Sequence, residues 1–130
     1  MVKKRKPRIL LADDETYVRK YIKTVVTVLG CEIVGEAEDG QETVDLFREL
    51  NPDILLLDIN MPVKTGEQAL EEIMSEFPDA FVIMLTSVIS AESVERCLNL
   101  GAANYIRKDT SIEAMRGILK KTWSAFKNGG

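Results

Sequence analysis

The sequence predicts a single α/β domain in which a parallel sheet is covered by helices on both faces. Three observations predict it. Five short apolar runs punctuate the 130 residues, and three of them are nearly continuous in Ile, Leu, Val and Phe, the pattern of central parallel strands shielded on both sides. A segment of helical periodicity follows each run. The runs begin roughly 20 to 30 residues apart, the length of one strand, one helix and two turns. Right-handed crossovers between such units put helices on both faces. The expected architecture is a (βα)5 doubly wound parallel sheet of strand order 2-1-3-4-5.

In chain order, Ile9 to Ala12 forms the first strand. Val18, Tyr21, Ile22, Val25, Val28 and Leu29 then fall on one helical stripe, stopped by Gly30. Ile33 to Ala37, interrupted by Gly35 and flanked by glutamates, is a weaker strand suited to an edge. Val44, Phe47 and Leu50 mark the second helix, ended by Asn51-Pro52. Ile54 to Leu57 is the third strand, and Ala69, Leu70, Ile73, Met74 and Phe77 mark the helix after it, ended before Pro78. Phe81 to Leu85 is the fourth strand. Ser90 and Ser93 open a helix carrying Val94, Cys97 and Leu98, stopped by Gly101. Asn104 to Ile106 is a second edge strand, followed by a helix that Ser111 can cap and that carries Met115, Ile118, Leu119, Thr122 and Phe126.

Composition narrows the function. The chain is 45% hydrophobic and 29% charged, which suits a packed core and excludes a disordered or collagen-like chain. No apolar run reaches bilayer length. There is no histidine, so Ser-His-Asp and Cys-His nucleophiles, His-containing zinc sites and a phosphohistidine carrier are all excluded. The net charge of −4 argues against binding nucleic-acid phosphates over the whole domain. Lys3, Lys4, Arg5, Lys6 and Arg8 form a basic terminus, read as solvated. No apolar segment of signal-peptide length follows, so a cytoplasmic location is expected. There Cys31 and Cys97, which lack CxxC spacing, stay reduced.

In an open parallel sheet, ligands bind at the carboxyl ends of the strands, where the strand order reverses. Strand one ends in Asp13-Asp14-Glu15, strand three in Asp58, strand four in Thr86-Ser87 and strand five in Lys108. Each signal alone has an ordinary explanation. Asp-Asp-Glu can cap a helix, Asp58 can sit in a turn, Thr86 can end a strand and Lys108 can be a surface lysine. Their convergence at one sheet edge is far more restrictive. Two carboxylates about 4 Å apart repel by roughly 4 kcal/mol at an effective dielectric near 20. They require a proton or a hard, oxygen-seeking cation, for which Mg²⁺ is the best fit. A carboxylate nucleophile, a divalent metal, an ammonium and a hydroxyl are the parts of phosphoryl transfer.

The chain resembles the CheY-like receiver domains of two-component response regulators over about residues 7 to 127. The resemblance rests on Leu10-Leu11-Ala12-Asp13-Asp14-Glu15, on Leu56-Leu57-Asp58-Ile59-Asn60-Met61-Pro62 with Gly66, on Thr86-Ser87, and on Tyr105-Ile106-Arg107-Lys108. It implies a flavodoxin-like fold and Asp58 as phosphoacceptor. Mg²⁺ would be held by Asp14 and Asp58, by the Asn60 carbonyl, and by Asp13 through water. Thr86 would bond the phosphoryl group, Lys108 would pair with it, and Tyr105 would couple to Thr86 as the switch. Asn60 and Val88 would flank the attacking water in hydrolysis of the acyl phosphate.

One departure stands out. The family usually has proline after the lysine, in a cis peptide, and here Asp109 occupies that place. A cis bond before a non-proline costs about 2.5–4 kcal/mol, so the loop after strand five is expected to be rearranged.

The expected function is therefore a signalling module rather than a metabolic enzyme, although its own residues catalyse self-phosphorylation and autohydrolysis. A basic tail is expected over 1–7, the receiver domain over 8–127 and a short tail over 128–130. The phosphoryl donor would be a histidine kinase or phosphotransfer protein. The effector, or a second phosphorylated copy, would meet the face formed by the fourth helix, fifth strand and fifth helix; direct nucleic-acid or membrane binding is not expected. Two rivals are a haloacid-dehalogenase-type aspartate phosphatase and a phosphorylation-independent pseudo-receiver. The first usually needs a second catalytic Asp where this chain has Asn60, and the second is expected to lack part of an acidic set that is complete here.

Overall fold

The structure, a computed structural model, describes residues 6–87 and 91–129. Lys3, Lys4 and Arg5 of the basic terminus, with Val88 and Ser90, lie outside the described residues, as does the side chain of Phe126. Strands and helices alternate as β1 (Arg8–Ala12), α1 (Thr16–Val28), β2 (Glu32–Ala37), α2 (Gly40–Leu50), β3 (Ile54–Asp58), α3 (Gly66–Glu76), β4 (Val82–Thr86), α4 (Ala91–Asn99), β5 (Asn104–Arg107) and α5 (Ile112–Gly129). The five strands are parallel in the order β2-β1-β3-β4-β5. α5 is the longest helix among the described residues, at 18 residues.

Strand side chains alternate between faces, and so each central strand feeds two cores. Leu10, Ala12, Leu55, Leu57, Val82 and Met84 pack with Val44 and Phe47 of α2, with Ala69, Leu70 and Ile73 of α3 and with Cys97 of α4. Ile9, Leu11, Ile54, Leu56, Ile83 and Leu85 point the other way, onto Val18, Ile22 and Val25 of α1 and Met115 and Leu119 of α5. That division explains why the central runs read as continuously apolar: both faces are buried.

The helix boundaries follow local chemistry. The Asp39 side chain accepts from Glu42 N at the start of α2, and Thr65 and Gln68 form a reciprocal capping box on α3. Gly30 and Gly101, read as helix stops, have φ of +81° and +116°, a region open to glycine. Two stripe residues differ from expectation. Val28 and Leu98 are 58% and 41% exposed, because each lies at the margin of an arc already filled by Val25 and Val26, or by Val94 and Cys97. Both cysteines are free thiols. No helix among the described residues is long and apolar enough to cross a membrane.

Candidate functional site

The register of the sheet brings the strand-end residues together. Ala12 of β1 pairs with Leu57 of β3, so the next residues, Asp13 and Asp58, emerge side by side where the strand order reverses. Asp58 pairs with Leu85 of β4, and Thr86 pairs with Arg107 of β5, which delivers Thr86 and Lys108 to the same edge. Asp13, Asp58 and Thr86 are buried and Asp14 is exposed. Carboxylate oxygens of Asp13, Asp14 and Asp58 lie within 4.8 Å of one another. Lys108 Nζ stands 2.7 Å from Asp13 Oδ2, 3.2 Å from Asp58 Oδ2 and 3.5 Å from Glu15 Oε1. Asn60 N donates to Asp58 Oδ1 at 3.2 Å. Tyr105 lies apart from this cluster, opposite Met84 and 37% exposed on the β5 edge.

Asp-Asp-Glu is not the side-chain cap of α1. Glu15 occupies the N-cap position without a side-chain bond, while Asp13 Oδ1 accepts from Glu15 N at 2.9 Å. Asp13 Oδ2 is buried and meets the Lys108 ammonium at 2.7 Å. Burial, then the charge of Asp13, pushes the Asp58 carboxyl up to about 7 against the counter-pull of Lys108. Burial would lower the Lys108 ammonium, but its contacts with Asp13 and Asp58 outweigh that and raise it. One buried ammonium thus serves two buried carboxylates and, more distantly, the half-buried Glu15. Asp13, Asp14 and Asp58 outnumber the one ammonium beside them, and an all-oxygen donor set with excess negative charge fits a hard divalent cation.

The response regulator receiver domain model matches residues 9–120. The chain belongs to this family. It is 39% identical over 101 residues to Protein CcdB of Bacillus subtilis and 37% identical over 101 residues to the chemotaxis protein CheY of Thermotoga maritima, covering 78% of this chain and 84% of each relative. Of three further relatives it spans about half, at 51%, 56% and 52% of their lengths. Among solved structures, a chain of the CheX-CheY-BeF3-Mg+2 complex from Borrelia burgdorferi superposes with a TM-score of 0.83 at 31% identity, covering 92% of this chain and 88% of that one.

Two further residues, Gly66 and Arg19, shape the loops around the acidic cluster. Gly66 was legible only as part of a motif, and its physical role is proximity. Its N donates to Ile59 O at 2.8 Å, and a Cβ there would lie 1.8 Å from Asp58 O. Between them Lys64 N donates to Pro62 O at 2.8 Å across Val63, whose φ is +69°. This γ-turn stores strain on the order of 1–3 kcal/mol beside the acidic cluster.

Arg19 is the larger omission. It lies next to Val18 on the buried side of α1, and Nη1 donates to the buried Asp13 carbonyl at 2.7 Å. Its other nitrogens reach Glu36 Oε1 at 3.1 Å and Glu38 Oε1 at 3.3 Å, so it ties the Asp13 loop to β2 and to the loop after it. The available signal was an arginine inside an apolar stripe with two glutamates ending the neighbouring strand. Arg19→Met is expected to lower stability by about 2 kcal/mol, because a buried carbonyl loses a charged donor. A urea midpoint within error of wild type would refute that role.

Proposed function

We propose that this receiver domain accepts a phosphoryl group on Asp58, with Mg²⁺ bound, from a histidine kinase or phosphotransfer protein. The observation that carries the reading is the buried Asp58 carboxylate, 3.2 Å from Lys108 Nζ and within 4.8 Å of the Asp13 and Asp14 oxygens. The Asp13, Asp14 and Asp58 carboxylates and the Asn60 carbonyl would hold the ion, with water completing the shell at Asp13. When bound, Mg²⁺ supplies Lewis-acid neutralisation of charge on the phosphoryl oxygens.

The residues of the chain do the rest. An Asp58 oxygen attacks phosphorus and the phosphorus–nitrogen bond of the donor imidazole breaks. The electron pair leaves with that nitrogen, which takes up a proton. Lys108 pairs with the transferred group, and the Thr86 hydroxyl donates to it at the end of β4. Burial keeps water sparse around the acyl phosphate. The BeF3 and Mg+2 named for the Borrelia complex support the same assignment here.

The signal would leave through the α4–β5–α5 face, a route supported by the exposed apolar side chains of Leu98, Tyr105 and Ile112. Inward movement of Thr86 on phosphorylation would release space for the Tyr105 ring and reshape that face for an effector or a second copy. The module is read as cytoplasmic, with 8–127 as the functional unit. Incubation with acetyl phosphate and Mg²⁺ is expected to add one base-labile phosphoryl mass to the intact chain, and Asp58→Asn is expected to lose it, since an amide is a poor nucleophile. Full labelling of that variant would overturn the assignment.

A further inference from the structure

Lys108 meets its carboxylates through a flexible four-carbon stem and an ammonium with no forked geometry of its own. Its position therefore rests on the backbone that carries it. β5 is an edge strand with β4 on one side only, and Lys108 N makes the final bond to the sheet, to Thr86 O at 2.8 Å. The chain then turns at Asp109 without a cis peptide among the described residues.

Side chains and one backbone bond hold that turn. Arg107 Nε and Nη2 donate to Asp109 Oδ1 and Oδ2 at 2.9 and 2.7 Å, a bidentate fork joining the two neighbours of Lys108 on the outer surface. Thr110 N donates to Arg107 O at 3.1 Å. From α1, the Tyr21 hydroxyl donates to Thr110 O at 2.8 Å. α1 follows directly on the loop bearing Asp13, Asp14 and Glu15, so Tyr21 links the turn that carries the cation to the helix that follows the carboxylates.

We propose that Tyr21 and Asp109 are positioning residues for Lys108, fixing its ammonium against Asp13 and Asp58 by holding the β5–α5 turn from inside and outside. The inference rests on the reading of Lys108 as the partner of the phosphoryl group. The Arg107–Asp109 pair is 46% and 65% exposed, and such pairs add little to stability. Its effect belongs to the order of Lys108, not to the melting point.

The test uses the full chain with ¹³C-labelled lysine and compares wild type, Tyr21→Phe/Asp109→Asn and Asp109→Glu. In wild type the Lys108 ε-methylene protons are expected to be inequivalent and to relax as a rigid group. In the double variant they should average to the signal of a surface lysine, while acetyl phosphate labelling slows about tenfold. Mg²⁺ affinity should hold or rise, because loosening the ammonium removes a cation that competes for the Asp13 and Asp58 oxygens. Asp109→Glu keeps a carboxylate for Arg107 and should retain most of the rate. A rigid Lys108 in the double variant overturns the proposal, and so does a parallel fall in Mg²⁺ affinity, which would mean that the acidic loop had moved instead. Loosening of Lys108 without any labelling of wild type supports the positioning and overturns the phosphoacceptor reading.

Discussion

Without Mg²⁺, the protein is expected to lose stability as pH rises from 5 to 8. The folded protein holds the Asp58 proton to about 7, against 3.8 for an ordinary aspartate. Between those values the unfolded chain has released a proton that the folded chain keeps, so raising the pH favours unfolding, and the loss levels off above the folded value. From pH 5 to 8 this amounts to about 3 kcal/mol, or about 10 °C in Tm for a domain of this size. Glu36 and Glu72 are held below their ordinary 4.5 by cationic partners, so their contribution is present above that value and lost only at lower pH. Lys108, raised above 10.5, contributes fully throughout the window. Saturating Mg²⁺ should flatten the slope, since a cation favours the ionised carboxylates, and Asp58→Asn should flatten it in EDTA and melt above wild type at pH 8. Thermal melts at a series of pH values decide the matter; a flat or rising wild-type profile in EDTA would show that Asp58 is ionised without cost.

Gly66→Ala is expected to be, with Gly40→Ala, among the most damaging single methyls at the described glycines. At Gly66 the added carbon would sit 1.8 Å from Asp58 O and 2.8 Å from both Asp58 C and Ile59 Cα. All three are backbone atoms, so no side-chain rotation relieves the clash. Either α3 retreats, losing the Gly66–Ile59 bond and its packing, or the Asp58–Ile59 peptide shifts and takes the Asp58 carboxylate with it. The cost should be about 3 kcal/mol or more, and Mg²⁺ affinity should fall in the fraction that still folds. Gly117 provides the control. It is exposed within α5, and nothing lies within 4 Å of its would-be Cβ, so Gly117→Ala should be neutral or stabilising by about 0.5–1 kcal/mol. Equal urea midpoints for the two variants would show that the loop yields at no cost.

The architecture was legible because it depends on local pattern. Alternating side chains on strands covered from both sides must read as continuous apolar runs, and β2 and β5, each with one neighbour, must read as weaker. The site residues were legible for a related reason: the strand order sends the ends of β1, β3, β4 and β5 to one edge, so Asp13, Asp58, Thr86 and Lys108 could be grouped before any distance was known. Val28 and Leu98 were misjudged because periodicity specifies the centre of an apolar arc and leaves its margins open.

The sequence by itself therefore determined the sheet, its order, the family and the convergence of acid, hydroxyl and lysine at the switch point. Only the tertiary structure decided which oxygen of Asp13 meets the Lys108 ammonium and that Arg19 clamps the loop behind it. It alone showed that Gly66 presses on the Asp58 backbone, and that Tyr21 reaches Thr110 across 89 positions. The physical reason is range. Hydrophobic period and strand-end position are properties of neighbours along the chain, whereas a hydrogen bond or a clash depends on ångström distances between segments that meet only after the helices have packed onto the sheet.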